Sequence, residues 1–224
     1  MRPAPFTLAR PGTVPEALAL LADGGRPLAG GQSLVPQLTR RELAVERLVD
    51  LGGITELRRL DVTDAEIRIG AMVTLATLED DPRIAARWPL LAEAVRHVGH
   101  RPIRVRSTVG GTLAFGDPPA EVPLALAVLG ARTETAGPLI TAVTAPAQPT
   151  RGWGFHETAR RLNDRATAVA AALLLDPDTV RLGTATAATT PQVVELTLAD
   201  AAAHPDPIAR RAVQQAIERA GADA

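Results

Sequence analysis

The chain has no cysteine and no tyrosine among its 224 residues, and because lysine is absent as well, every cation is an arginine or a histidine. Without cysteine it can carry no disulfide, iron–sulfur cluster or thiolate metal site of its own. The missing lysine excludes P-loop phosphate chemistry and Schiff bases, and the missing tyrosine excludes a phenolic acid. Aromatics make up 2% of the chain, so Phe6, Trp88, Phe115, Trp153 and Phe155 are the whole supply for stacking on a planar ligand. An excess of charge of either sign is missing too. With 24 basic and 25 acidic residues spread along the chain, nothing attracts nucleic acid or an anionic membrane, and small neutral molecules or other proteins are the expected partners. No apolar run approaches about 18 residues, and MRPAPFTLAR lacks the apolar stretch of a signal peptide, so a cytoplasmic location is expected.

What is present is a chain that is 46% hydrophobic, enough to bury the core of one large or two small domains. Residues 13–24 open with a Thr-x-x-Glu capping box (Thr13, Glu16), carry Val14, Leu18, Leu21 and Ala22 on one face and stop at glycine, which predicts a helix. A short strand over 27–29, a glycine loop, a helix starting near Ser33 and an apolar strand over 47–51 read as a small parallel α/β unit with a right-handed crossover. AEIRIGAMVT alternates like a strand, and Thr74 opens helical text that Pro82 and Pro89 divide. WPLLAEAVRHVG predicts a further helix, a second glycine loop follows, and residues 121–129 predict another helix. Residues 137–151 read as a strand with a linker. ATAVAAALLLDPDTVRLGTATAATTP reads as two apolar strands around an Asp-Pro-Asp-Thr turn, and residues 208–220 as a terminal helix.

The two glycine loops are the motifs with chemical content. Adjacent glycines let a backbone approach a ligand without an intervening Cβ, and a loop that feeds a helix presents unpaired N–H groups to an anion. Gly30-Gly31-Gln32-Ser33 has this form, and Thr108-Val109-Gly110-Gly111-Thr112 repeats it with two hydroxyls. Together they could embrace a diphosphate from both sides, in a chain that has no lysine to do so. The first lacks the G-x-G-x-x-G spacing of a Rossmann site; a single such loop reads more readily as an ordinary tight turn, and the two together leave a turn and a ligand loop evenly balanced.

The pair LAGGQSL (28–34) and RSTVGGTLAFGDPPAEVP (106–123) resembles the two FAD-binding signatures of the medium, flavin-carrying subunit of molybdenum hydroxylases, the carbon monoxide dehydrogenase and xanthine dehydrogenase family. LVDLGGITELRRL, IRIGAMVTLATLEDDP and ARRLNDRATAVAAALLL extend the resemblance in order over most of the chain. It implies an α+β protein: a two-part FAD domain of the PCMH or vanillyl-alcohol-oxidase type over residues 1–149, with parts 1–54 and 55–149, followed by a C-terminal sheet-and-helix domain over 150–224. Residue by residue, it implies cofactor contacts at Leu28, Ala29, Gly30, Gly31, Gln32, Ser33 and Leu34, and at Thr108, Val109, Gly110, Gly111 and Thr112. Asp117, Glu121 and Leu139 complete that set, with Glu121 reaching the sugar or adenine side of FAD. The implied activity is electron transfer from a molybdopterin-bearing large subunit and an iron–sulfur small subunit to an external acceptor. The alternatives are a stand-alone FAD enzyme acting directly on a small organic substrate, or a degenerate relative that binds no flavin.

The chain departs from that pattern. ARTETAGPLITAV runs straight across where relatives carry an extra segment with a Phe-Phe-x-Gly-like element, and the final Tyr-Arg-Arg helix is not found, which implies a more open flavin or a partial loss of function. Val105, Ser107 and Phe115 replace residues usual in the family, and Phe115 is the aromatic expected nearest the flavin, with a core position as its alternative. No metal site is expected: His97 and His100 could share a helix face but have no third ligand nearby. Arg101, Arg104 and Arg106 alternate as on a solvated strand edge or an anion-facing one. No Ser-His-Asp arrangement or catalytic carboxylate pair is evident, so no catalytic residue is assigned.

Overall fold

A computed structural model describes residues 2–148, 152–161 and 164–222 and contains three sheets, each drawn from a consecutive stretch of the chain. In the first, β1 (Thr7–Ala9), β2 (Arg26–Leu28) and β3 (Arg47–Asp50) lie in the order β1-β3-β2, and both pairings are parallel. Parallel neighbours need a crossover. Helices α1 (Val14–Ala22) and α2 (Leu34–Arg40) supply it. Thr13 caps α1 by accepting the Glu16 amide, but the Glu16 carboxylate accepts from Gly12 at 2.7 Å instead of closing back on Thr13.

The second sheet is antiparallel, β4 (Leu60–Val62), β5 (Glu66–Gly70), β6 (Arg132–Ala136) and β7 (Leu139–Pro146), in the order β4-β5-β7-β6. The short ARTETAGPLITAV text forms the β6–β7 hairpin, turning at Gly137 with φ 53°. Between β5 and β6 run α3 (Leu75–Asp80), α4 (Pro82–Arg87), α5 (Pro89–His97), α6 (Arg101–Arg104), α7 (Val109–Phe115) and α8 (Glu121–Val128). Pro82 and Pro89 begin α4 and α5, where a missing N–H costs nothing, so they divide the helical text as the sequence predicts.

The third sheet is a meander, β8 (Trp153–Ala159), β9 (Ala166–Leu174), β10 (Thr179–Thr186) and β11 (Thr189–Thr197), followed by α9 (Leu198–Ala202) and α10 (Pro207–Ala222). From Val169 to Leu174 β9 is apolar because both its faces are buried there. Val169, Ala171 and Leu173 join the core of α5 and α8, whereas Ala170, Ala172 and Leu174 meet Ala209, Ala212, Val213 and Ala216 of α10. α10 lies so close to β8 that a Cβ on Gly154 would sit 1.8 Å from the Ala212 carbonyl oxygen. The domain boundary expected at 149/150 falls outside the described residues.

Two expectations change. Strands β1, β4, β8 and β11 add to those read from the sequence. β11 contains Pro191, which a strand tolerates at a sheet edge, and β11 is that edge. Arg101 and Arg104 are not on a strand but in α6, where both face the carboxylates that end α3. Arg104 is 9% exposed and gives Nε and Nη2 to Glu79 at 2.9 Å and Nη1 to the Gly99 carbonyl at 2.5 Å. Arg101 reaches Glu79 and Asp80, so these arginines brace two helices and are not available to a phosphate.

Candidate functional site

The two glycine loops, remote in sequence, are in contact. The first joins β2 to α2, and the second begins α7. A Cβ on Gly30 would lie 1.8 Å from the Arg106 carbonyl oxygen, and one on Gly111 would lie 3.4 Å from the Ala29 Cβ, so the absence of side chains is what lets the loops close on each other. Beside the junction opens a cleft of about 460 Å³ whose further wall is formed by Leu51, Met72, Leu139 and Ile140.

Of the residues expected at a cofactor, Ala29, Gly30, Gly31, Gln32, Ser33 and Leu34 line this cleft from the first loop, Thr108, Gly110, Gly111 and Thr112 from the second, and Leu139 from β7. Leu28, Val109, Asp117 and Glu121 do not. Leu28 is paired in β2 with Asp50, and Val109 is fully buried in the core. Asp117 is held by Arg165, and Glu121 is buried at the start of α8. Phe115 lines the cleft and is 49% exposed, so it is a wall residue and not part of the core. Arg26, Met72 and Ile140 also line it; nothing in their local sequence distinguished them, because tertiary folding alone brings β2, β5 and β7 together.

The loops differ in what their amides do. In the second, the Val109 amide donates to Val73, Gly110 to Ala71 at 2.9 Å, Thr112 to the Thr108 carbonyl and Gly111 to the Thr108 hydroxyl at 3.1 Å. Every one is committed. In the first, the amides of Gly30, Gly31, Gln32, Ser33 and Leu34 donate to no acceptor among the described residues, while the Gly31 carbonyl accepts from Val35 at 2.9 Å and the Gly30 carbonyl from the Gln32 side chain. The expectation of amides from both sides is therefore corrected: the second loop offers hydroxyls and a close-packed floor, and only the first offers open N–H groups. Among the described residues, Arg26 is the one charged side chain on the cleft lining, and no Asp, Glu or His joins it there. Such a surface accepts an anion and repels none.

A second ionisable cluster sits apart, where α5, α8 and β8 meet. His97 Nδ1 lies 2.9 Å from a Glu157 oxygen and Nε2 3.4 Å from Glu93, with its ring 4.9 Å from Phe155. Hydrogen bonds from these two glutamates hold the imidazole charged, pushing its pKa up to about 9 against the opposing effect of burial. Burial, reinforced by the Glu157 charge, pushes Glu121 up to about 7. The second Glu157 oxygen is buried without a partner among the described residues. His97 is thus an ion-pair residue joining α5 to β8.

A family model described as the FAD binding domain in molybdopterin dehydrogenase matches residues 4–144, a span that contains both loops and every lining residue of the cleft. This chain belongs to that family. Within it, the nicotine 6-hydroxylase medium subunit of Paenarthrobacter nicotinovorans is 36% identical over 196 residues, covering 76% of this chain and 69% of that one. The carbon monoxide dehydrogenase medium chain of Afipia carboxidovorans is 34% identical over 202 residues, covering 78% and 70%. In the crystal structure of the cyanide-inactivated Cu,Mo-CO dehydrogenase, one chain matches 98% of this one with a TM-score of 0.85 at 28% identity. The FAD-binding medium subunits of molybdenum hydroxylase-type dehydrogenases are thus the homologues of this chain, in sequence and in fold.

Proposed function

We propose that this chain is the FAD-carrying electron-transfer subunit of a molybdenum hydroxylase-type dehydrogenase, and that the cleft between the glycine loops is its flavin site. One observation carries the reading: five consecutive amides with no acceptor among the described residues, beside the one arginine and no carboxylate that those residues bring to the lining. Those groups fit a diphosphate, and the apolar wall of Leu51, Met72, Leu139 and Ile140 fits a planar ring system. When bound, FAD supplies the redox chemistry by accepting and releasing electrons. The protein binds, orients and screens. The first loop holds the anionic middle of the dinucleotide, Thr108 fixes the floor, and the apolar wall excludes water from one side of the ring.

A chain with no cysteine cannot hold the iron–sulfur centres that feed such a flavin. A molybdopterin-bearing large subunit and an iron–sulfur small subunit therefore belong to the reading as partners. No described helix is long and apolar enough to cross a membrane, and the cytoplasmic assignment rests on the sequence. The test is a visible spectrum of the purified chain, acid release of the flavin, and reduction by substrate with and without the co-expressed partners. A yellow protein that releases FAD and is reduced only in the assembly supports the proposal. A colourless chain, or turnover by the isolated chain, contradicts it.

A further inference from the structure

We propose that Arg26 is the counter-ion of the cofactor's diphosphate. The inference rests on the FAD reading above and adds to it the one side chain that supplies charge. Arg26 begins β2, the strand that runs directly into the open loop, and it lines the cleft. Other arginines around the same sheet are taken: Arg47 of β3 lies 2.5 Å from Asp23, and Arg10 lies 3.5 Å from Asp50. Arg26 forms no ion pair with any described residue, and no acidic side chain shares the lining with it. In a chain without lysine it is the sole charge that the described residues place on the cleft wall.

A diphosphate brings negative charge that five amides can solvate but not neutralise. A guanidinium at the edge of a partly desolvated cleft supplies what they lack, with forked N–H groups that match paired phosphate oxygens. A phosphate-free flavin would gain nothing from it. Because Arg26 is exposed and unpaired, replacing it removes no contact that the fold itself uses.

The full chain is freed of flavin and titrated with FAD and with riboflavin, which lacks the phosphates, at low and high salt, for wild type, R26Q and R26K. Removing a charge-assisted hydrogen bond predicts that R26Q weakens FAD binding roughly ten- to a hundredfold. Riboflavin binding stays the same, the salt dependence of FAD binding flattens, and R26K recovers much of the loss. The proposal is overturned if R26Q binds FAD as tightly as wild type, if FAD and riboflavin weaken in equal proportion, or if wild-type FAD affinity is indifferent to salt. Failure of the underlying FAD reading looks different: wild type then binds neither flavin.

Discussion

The two glycine loops share a composition and serve opposite physical ends. Each has a Gly-Gly pair flanked by hydroxyl or amide side chains at the start of a seven-residue helix, but Gly30-Gly31 precedes α2 in a true loop, whereas Gly110-Gly111 lies within the first turn of α7. In the second, Thr108 caps α7 and all four following amides are bonded, so the glycines act as spacers: a Cβ on Gly110 would lie 2.5 Å from the Ala71 Cβ. In the first, Ser33 makes no capping bond, Gly31 sits at φ 74°, and the amides point to no protein acceptor among the described residues. A helix start that caps itself has settled its own hydrogen bonds, and one that does not leaves them for a ligand. A glycine pair in a sequence is thus a statement about space, and only the hydrogen-bond inventory says whether the space is for chain or for cofactor.

The comparison breaks most sharply at the junction. Replacing Gly30 with Ala places a Cβ against the Arg106 carbonyl, a backbone atom that cannot rotate away, so the loops must part. FAD retention should be abolished and stability should fall by several kcal/mol, about 3 by analogy with other severe steric or strain mutants. Gly31→Ala meets only side chains, Val35 at 3.0 Å and Leu28 at 3.4 Å, but must hold a positive φ, at a cost of about 1–2 kcal/mol, with weakened FAD binding. Thermal melts and flavin titration of the two variants give the order.

Next in size is pH, where the cleft and the His97 cluster should separate. His97 has its folded pKa raised from 6.5 to about 9, so its stabilisation is complete below pH 6.5 and is lost as pH rises through 9. Glu121 is raised from 4.5 to about 7, so the folded state keeps a proton that the unfolded chain releases, and stability falls as pH rises from 4.5 through 7. Both effects run downhill towards alkaline pH. Glu121→Gln should flatten the lower part of the curve and exceed wild type at pH 8, and His97→Gln should flatten the upper part while losing stability at pH 6. FAD affinity should stay level over the same range, because no Asp, Glu or His among the described residues lines the cleft. A melt series and a flavin titration across pH check both halves.

Smaller effects sharpen the contrast between the loops. Thr108→Ala removes the cap on α7 and should cost about 1 kcal/mol of stability with little direct effect on FAD. Phe115→Ala should leave stability unchanged, since the ring is 49% exposed, and reduce FAD affinity by only a few-fold, roughly the loss of one partial apolar contact.

Much of this molecule is legible in its sequence where a local rule decides. The Thr13 start of α1, the Thr74 cap of α3 and the proline breaks before α4 and α5 stand where capping and proline chemistry put them. The strands β1 and β8 were not, because three residues among prolines, or a short WGFHETA with no alternation, are strands only once a neighbour pairs with them. The site divides in the same way. The glycine loops announce themselves; Arg26 and Met72 enter the cleft only through tertiary contact. Glu121, expected at the cofactor, lies buried near Glu157 and His97, neighbours that tertiary folding brings to it and that no spacing rule could connect.

Amide hydrogen exchange, read residue by residue with and without FAD, tests the division between the loops most directly. The amides of Gly30, Gly31, Gln32, Ser33 and Leu34 should exchange fast in the apoprotein and become protected on FAD addition, while those of Val109, Gly110, Gly111 and Thr112 should be protected in both states. First-loop amides already slow without FAD, or unchanged by it, would contradict the account.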